Sequence, residues 1–363
     1  MKTVCDINKC NGCMACIDIC PKKCISINDT INANNAVINE EECINCKLCK
    51  SICPNITKVE NFKVKEWYQG WAKNDIREKA SSGGIASAII KKIINNGGYV
   101  ASCVFDKGEF IFNITNDLSE AKKFSGSKYV KSNPKGIYRK IEKILNDNKV
   151  LFIGLPCQVA ALKNRIKNQT NLFTIDLICH GTPSPLLLKK YLQEQGFDIN
   201  FINDIQFRNK TDYGISVNNI KITSPRILDE YTCAFIKGID YTENCYSCEY
   251  ASLNRVSDLT IGDSWGTELK DEEKKGISLI LIQNEKGKDL LKDTGIILKN
   301  VNIENAILNN HQLSYPSKKT MNRDKFFKLL SNGKTFKYAI CSVLPKVMIK
   351  QKMKYLLIKL NLI

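Results

Sequence analysis

Eight cysteines near the start of the chain stand in two identical ladders. Cys10, Cys13, Cys16 and Cys20 are followed by Pro21, and Cys43, Cys46, Cys49 and Cys53 by Pro54. Each ladder spells C-x2-C-x2-C-x3-C-P, the spacing that holds a pair of [4Fe–4S] clusters. A cubane needs four thiolates arriving from different directions. Three cysteines at x2 intervals wrap one loop around three irons, and the fourth ligand comes from the other ladder. By that rule Cys10, Cys13, Cys16 and Cys53 hold one cluster, and Cys43, Cys46, Cys49 and Cys20 hold the other. Such centres move electrons singly. Two zinc ions or a disulfide knot are the competing uses of eight thiols, and the doubled spacing with its prolines favours iron–sulfur. Met1–Val4 leads almost directly into the first ladder without an apolar h-region. A signal peptide is therefore not expected, and a reducing, cytosolic compartment is. Cys5 and Cys24 fall outside the pattern and read as small buried hydrophobes.

A further set of cysteines lies downstream. Gly154-Leu155-Pro156-Cys157-Gln158 follows the apolar run VLFIG, and Cys179-His180-Gly181-Thr182-Pro183 follows LFTIDLIC. Cys245-Tyr246-Ser247-Cys248 is a C-x2-C pair. Cys157, Cys179, Cys245 and Cys248 together suffice for a third cluster. A zinc site, a Cys157 nucleophile paired with His180, and plain structural cysteines are the alternatives at this point. Cys103, Cys233 and Cys341 lack partners at ligand spacing and read as core residues. Ser81-Ser82-Gly83-Gly84 opens a helical pattern. Its serines suit capping, and its glycines suit a close phosphate; an ordinary N-cap is the simpler use. Ser125-Gly126-Ser127-Lys128-Tyr129 gathers hydroxyls and a cation in one loop, suited to a pyrophosphate or flavin ring or to a mere turn. No G-x-G-x-x-G stands between a strand and a helix, so nothing argues for a nicotinamide-binding unit.

Alternating elements must position these groups. Apolar periodicity predicts helices over 84–96, 137–145, 159–166 and 186–195, and strands over 99–105, 109–115, 150–154 and 172–179. Strand–helix–strand order implies an α/β core with partly parallel strands, whose sites lie beyond the strands' carboxyl ends. The cysteine motifs fall there. The expected fold is an α+β ferredoxin-like two-cluster module over 1–60, followed over 61–330 by an α/β domain with a mixed sheet. A basic helical tail follows over 331–363.

The chain has 363 residues and a formal charge of +17. Residues 1–60 hold seven acids and seven lysines, so the whole excess lies beyond them. Such a body suits an anionic cofactor, an acidic donor or a membrane surface. No helix-turn-helix, zinc-finger or RNA-binding signature is present, and nucleic acid is not expected. Seven of the lysines lie in 331–363, where there are no acids. The segment LPKVMIKQKMKYLLIKLNLI mixes them with apolar residues. It reads as a helix docked on its own body, with peripheral contact at the inner face of a membrane or with a partner as alternatives. No run of 18 apolar residues predicts a transmembrane helix.

Taken together, SSGG (81–84), SGSKYV (125–130), GLPCQVAAL (154–162), DLICHGTPSP (176–185), FRNKTDYG (207–214) and CYSCEYASLNRVSDLTIGDSWG (245–266) are diagnostic. The chain resembles the coenzyme F420 hydrogenase/dehydrogenase beta-subunit family, in a form with a fused two-cluster ferredoxin. That resemblance implies that the α/β domain with its mixed sheet is flavin-binding, holding FAD with a [4Fe–4S] cluster beside it. Cys157, Cys179, Cys245 and Cys248 then correspond to the third cluster's ligands. Ser82, Gly83, Gly84, Ser127, Lys128 and Tyr129 correspond to flavin-site residues. Arg255, Asp258, Asp263 and Trp265 fall in the last motif without an assigned role. Clusters pass single electrons, whereas many organic reductions take two with a proton, and flavin bridges the two regimes. The expected activity is that of a flavin-dependent iron–sulfur oxidoreductase. It would accept electrons from a low-potential donor such as ferredoxin or a partner oxidoreductase, and act on a small-molecule substrate, with polysaccharide precursors one class. A non-catalytic electron-transfer protein serving a partner and a coenzyme F420 oxidoreductase are the alternatives.

Overall fold

The structure, a computed structural model, describes residues 2–362. Its first part is a small antiparallel sheet in which Asn34–Ile38 lies between Lys2–Thr3 and Ile25–Asp29. Two one-turn helices, Ala15–Ile19 and Leu48–Ile52, follow the same plan. Each starts after a left-handed residue at one step of its ladder, Met14 (φ 58°) or Lys47 (φ 61°). Each ends at the fourth cysteine, Cys20 or Cys53, in extended conformation. The proline that follows fixes φ and offers no amide to continue the turn.

The body is built on an eight-stranded mixed sheet. Its order is Ile297–Asn300, Glu66–Trp71, Ser278–Ile282, Leu259–Asp263, Leu172–Leu177, Val150–Gly154, Tyr99–Asp106 and Glu109–Thr115. The four strands from Leu259–Asp263 to Tyr99–Asp106 are parallel, and antiparallel pairings flank them on both sides. Every residue of Val150–Gly154 is buried. Leu151 and Ile153 face the Ile85–Asn95 helix, whose Ile85, Ile89, Ile90 and Ile93 share their core. Val150 and Phe152 face the other way, toward Tyr138, Ile141 and the Pro156–Arg165 helix. This is the period-two division of a strand covered on both sides. Each such fully buried aliphatic or aromatic side chain contributes about 1.5–3 kcal/mol.

The second core also contains Val4, Cys10, Cys13, Ala15, Cys16, Ile52 and Cys53, so the cysteine-rich part and the body share one hydrophobic interior. Polar ties reinforce it. The Tyr138 hydroxyl donates to the Cys13 carbonyl (2.8 Å), the Gly136 amide to Asp18 (2.7 Å) and Arg139 to the Asp18 carbonyl (2.7 Å). A three-stranded sheet (Ile205–Asn209, Asp212–Val217, Ile220–Lys221) packs with the Pro185–Glu194, Glu230–Ile236, Met321–Ser331 and Phe336–Val343 helices around a further core.

Several expectations shift. The helix expected from 159 begins at Pro156, because proline is well suited to the first helical position, so Cys157 lies in a helix's first turn and not in a strand–helix loop. The 172–179 strand stops at Leu177, leaving Cys179 two residues into the following loop. The Glu66–Trp71, Leu259–Asp263, Ser278–Ile282 and Ile297–Asn300 strands are additions to the expected set. The expected docked tail is the Pro345–Lys359 helix, which buries no residue. Among the described residues no helix is long and apolar enough to cross a membrane.

Candidate functional site

The structure groups the ladder cysteines in two sets, each with one member from the other ladder. Cys20, Cys43, Cys46 and Cys49 line one cavity of about 330 Å³ together with Ile25, Ile38 and Leu48. Cys10, Cys13, Cys16 and Cys53 are all buried on the side facing the body. Burial pushes the Cys13 and Cys16 thiols up, and the charge of neighbouring ladder cysteines pushes them further. Backbone amides oppose this; the Gly12 amide lies 3.4 Å from the Cys10 sulfur. Cys46 is exposed, so the second set is the outer one. Of the two cysteines outside the ladders, Cys24 lies in the hydrophobic core as expected and Cys5 packs against its edge. Cys5 is half-buried and interacts with Cys10 and Cys53. Cys24 is buried but lines the outer cavity, with its sulfur 3.5 Å from that of Cys20. Of the other three, Cys233 is buried, whereas Cys103 and Cys341 are half-buried at core margins.

Cys157, Cys179, Cys245 and Cys248 also converge. Burial raises the thiols of Cys157, Cys179 and Cys248, the last to about 11, and each lies in the field of others of the set. The Gly181 amide points at Cys179, and those of Tyr250 and Ala251 at Cys248. The Thr242 hydroxyl is 3.6 Å from the Cys245 sulfur. Cys157 also feels Cys13, so this set adjoins the buried ladder set. Lys131, absent from the sequence-level candidates, fills the gap. It is buried, its Nζ donates to the Asn11 carbonyl (3.0 Å), and its charge opposes the rise of the Cys157 thiol.

Cys157 and His180 do not form a nucleophilic pair. His180 Nδ1 meets Gln312 at 2.7 Å, and burial lowers its imidazole to about 4. A raised thiol beside a neutral, otherwise engaged imidazole is the opposite of an activated cysteine.

On the far side of His180 lies a second cavity of about 310 Å³. Ser81, Ser82, Arg208, Lys210, Thr211, Asp263, Ser264 and Trp265 line it. It sits at the carboxyl end of Leu259–Asp263, where α/β sheets place ligands. Arg208 forms two hydrogen bonds to Asp263 (2.7 and 2.8 Å) and a third to the Tyr213 hydroxyl (2.8 Å). Lys210 clamps the loop before the helix through the carbonyls of Arg77, Ala80 and Ser82. Asp263 and Arg208 both act electrostatically on His180, the residue that follows Cys179. A ring series, Tyr213–Tyr129–Phe235, runs between the cavity and the Cys179 set, and Phe235 packs with Cys245.

The expected flavin residues divide. Ser82 lines the cavity, but its hydroxyl donates to the Ile277 carbonyl (2.9 Å) rather than capping the helix. The cap is Gly84, left-handed and without a side-chain bond. Gly83 faces the sheet: a Cβ there would lie 2.5 Å from the Gly70 oxygen and 2.8 Å from the Ser278 nitrogen. Packing against the sheet therefore requires glycine at this position. The Ser127 amide donates to Ser81 (3.1 Å), joining the two loops. Lys128 spends its amine on the Phe124 and Ser125 carbonyls, and the Tyr129 ring stacks on Phe235 at 4.3 Å. Neither lines the cavity. Arg208, Lys210 and Thr211 were missed as single residues, although they sit in the FRNKTDYG motif. Of the last-motif residues, Asp263 and Trp265 line the cavity, whereas Arg255 and Asp258 are structural. Arg255 pairs with buried Asp176 (2.8 Å), and Asp258 accepts from the Thr174 amide and hydroxyl (both 2.7 Å).

Comparison with known proteins assigns stretches of the chain to known domains. Two family models describe the coenzyme F420 hydrogenase/dehydrogenase beta subunit. The one for its amino-terminal part matches residues 67–134, and the one for its carboxy-terminal part matches 147–304. A 4Fe-4S dicluster domain matches 9–56. The chain is 24% identical over 336 residues to the uncharacterized protein MJ1349 of Methanocaldococcus jannaschii, covering 79% of this chain and 87% of that protein. Over 69 residues it is 35% identical to the uncharacterized ferredoxin MJ0722 of the same organism, covering 18% of this chain and 90% of that one. A chain of the F420-reducing [NiFe] hydrogenase complex from Methanosarcina barkeri aligns with a TM-score of 0.47 and 16% identity, covering 69% of this chain and 91% of that chain. With both halves of the family matched and the dicluster domain ahead of them, the chain belongs to the coenzyme F420 hydrogenase/dehydrogenase beta-subunit family.

Proposed function

We propose that this chain is an iron–sulfur flavoprotein oxidoreductase that carries electrons from an external low-potential donor to a small organic acceptor. The order runs from the outer ladder set (Cys20, Cys43, Cys46, Cys49) to the buried set (Cys10, Cys13, Cys16, Cys53), then to Cys157, Cys179, Cys245 and Cys248, and ends at the cavity of Arg208 and Asp263. One observation carries it. The Cys157 set adjoins Cys13 on one side, and His180, the residue that follows Cys179, feels the charges of the cavity's Asp263 and Arg208 on the other.

The residues fit the groups proposed. The thiols of each set feel one another's charge. Among the described residues, however, no three His, Cys, Asp or Glu side chains stand close enough to hold a single bare ion. The cavity offers an aromatic ring, hydroxyls and fixed cations. FAD bound there would convert single electrons into a two-electron transfer. Arg208, held by Asp263 and Tyr213, keeps a positive charge on the cavity wall, and Lys210 fixes the loop that carries Ser82. The buried ladder set lies in the hydrophobic interior shared by both parts. We take a partner oxidoreductase as the donor class and a glycan precursor as one acceptor class.

Anaerobic reconstitution tests this. About twelve irons and one FAD per chain are expected, four irons for each cubane. Replacing Cys157 with serine should remove about four irons and block reduction of FAD by a reduced ferredoxin, while leaving ferredoxin-type signals intact. Eight irons in the unmodified protein, or zinc at the third set, would overturn the order proposed.

A further inference from the structure

The Pro345–Lys359 helix has two unlike long faces. Val347, Met348, Gln351, Lys354 and Ile358 are half-buried against the body, where Gln351 accepts from the Leu228 amide (3.1 Å) and Lys354 donates to the Arg226 carbonyl (2.7 Å). The opposite face carries Ile349, Met353, Leu356 and Leu360, which are 57%, 59%, 56% and 66% exposed. These positions are i, i+4, i+7 and i+11, one straight stripe on an α-helix. At 100° per residue, Lys352 and Lys359 border the stripe on one side and Lys346 and Lys350 on the other. All four lysines are exposed. Lys354 belongs to the body-facing side, so the lysines look scattered in sequence although the other four flank a single outward stripe.

We propose that this face is a docking surface for an anionic lipid bilayer. The stripe runs along a helix about 22 Å long, lying flat on the body. A bilayer offers an apolar layer for four flexible aliphatic side chains. Its anionic headgroups meet both rows of lysines, whose stems reach sideways to that level. A second copy of this chain fits less well. Pairing two stripes would set lysine rows against lysine rows, and residues 331–363 contain no acid to relieve them. The helix would lie in the interface without crossing it, in keeping with its length and charge.

Sedimentation of the full holoprotein with phosphatidylcholine vesicles, with and without phosphatidylglycerol, tests the proposal. The anionic vesicles should raise the pelleted fraction roughly tenfold, and high salt should reverse it. Leu356→Asp and Lys352→Glu/Lys359→Glu should each abolish the gain while the visible absorbance of the clusters stays unchanged. Pelleting that ignores phosphatidylglycerol, or survives Leu356→Asp, would overturn it. So would a lipid-free dimer that Leu356→Asp dissociates, since the stripe would then seat a second copy.

Discussion

Arg255 and Asp176 form a buried ion pair, Nη2 to Oδ1 2.8 Å, with side-chain exposures of 2% and 0%. Arg255 follows the C-x2-C pair by seven residues, and Asp176 precedes Cys179 by three. The guanidinium also bonds the Tyr250 and Ser252 carbonyls and the Thr260 hydroxyl. One side chain therefore fixes the loop bearing Cys245 and Cys248 to the strand leading into Cys179.

Arg255→Met leaves Asp176 buried without its cation and is expected to destabilise the protein by about 3–5 kcal/mol. Iron bound by the Cys157 set should be lost first. The double variant Arg255→Met/Asp176→Leu should recover much of the stability but not that iron, because the loop loses its anchor in both. Denaturant melts under argon, paired with iron analysis, check this; full iron in Arg255→Met would show that the loop needs no tether.

Lys131 places a fixed cation between the Asn11 carbonyl and Cys157. Its stem crosses Gly12, where a Cβ would come within 2.8 Å of the lysine Cδ, so the ladder needs glycine at that step. A nearby cation favours the more negative, reduced form of a cluster. Lys131→Met should therefore shift the adjacent midpoint potentials negative, as followed by redox titration with electron paramagnetic resonance. Unmoved potentials would reduce Lys131 to a packing residue.

Gly83→Ala must push the chain away from Gly70 and Ser278, at a cost of about 1–3 kcal/mol. The displacement moves Ser82 in the cavity wall. A lower melting temperature together with weaker FAD retention is the expected pair of results; retained stability would mean that the sheet yields at this point.

Asp240 is buried, and neither of its carboxylate oxygens has a hydrogen-bond partner. Burial raises its carboxyl well above the usual range, opposed by its own backbone amide and by Arg323. The unfolded chain ionises near pH 3.9 while the native carboxyl stays protonated, so this group lowers stability progressively as pH rises above about 3.9. Asp240→Asn should stabilise the protein by about 1–3 kcal/mol near neutrality and by less toward pH 4. Unfolding curves at a series of pH values decide it, and a constant difference would contradict the titration.

The ladder cysteines were legible because their spacing encodes a local wrap, one turn closed by a proline. The Val150–Gly154 and Glu109–Thr115 strands were legible for a similar reason, since continuous burial and strict alternation are local patterns. Glu66–Trp71 was not. Its EWYQGW sequence hides a sheet strand behind Gln69, which is fully buried and satisfied only by Ser264, Thr267, Glu268 and Asn300, all about two hundred residues or more away. Gly83 and Lys128 suggested a ligand loop by type. Their use is decided by Ser278 and by the Phe124 and Ser125 carbonyls, which only the folded chain brings into range. Arg208 and Lys131 were illegible because each acts across more than fifty residues of sequence on Asp263 and Asn11.

The hydrophobic interior common to Ile52, Tyr138 and Val159 has a kinetic consequence. A carrier hung on a tether must diffuse to its acceptor, and its turnover slows as the medium thickens. Here the separations are set by solid packing, so passage within the molecule should be indifferent to glycerol or crowding, and only the encounter with an outside donor should feel them.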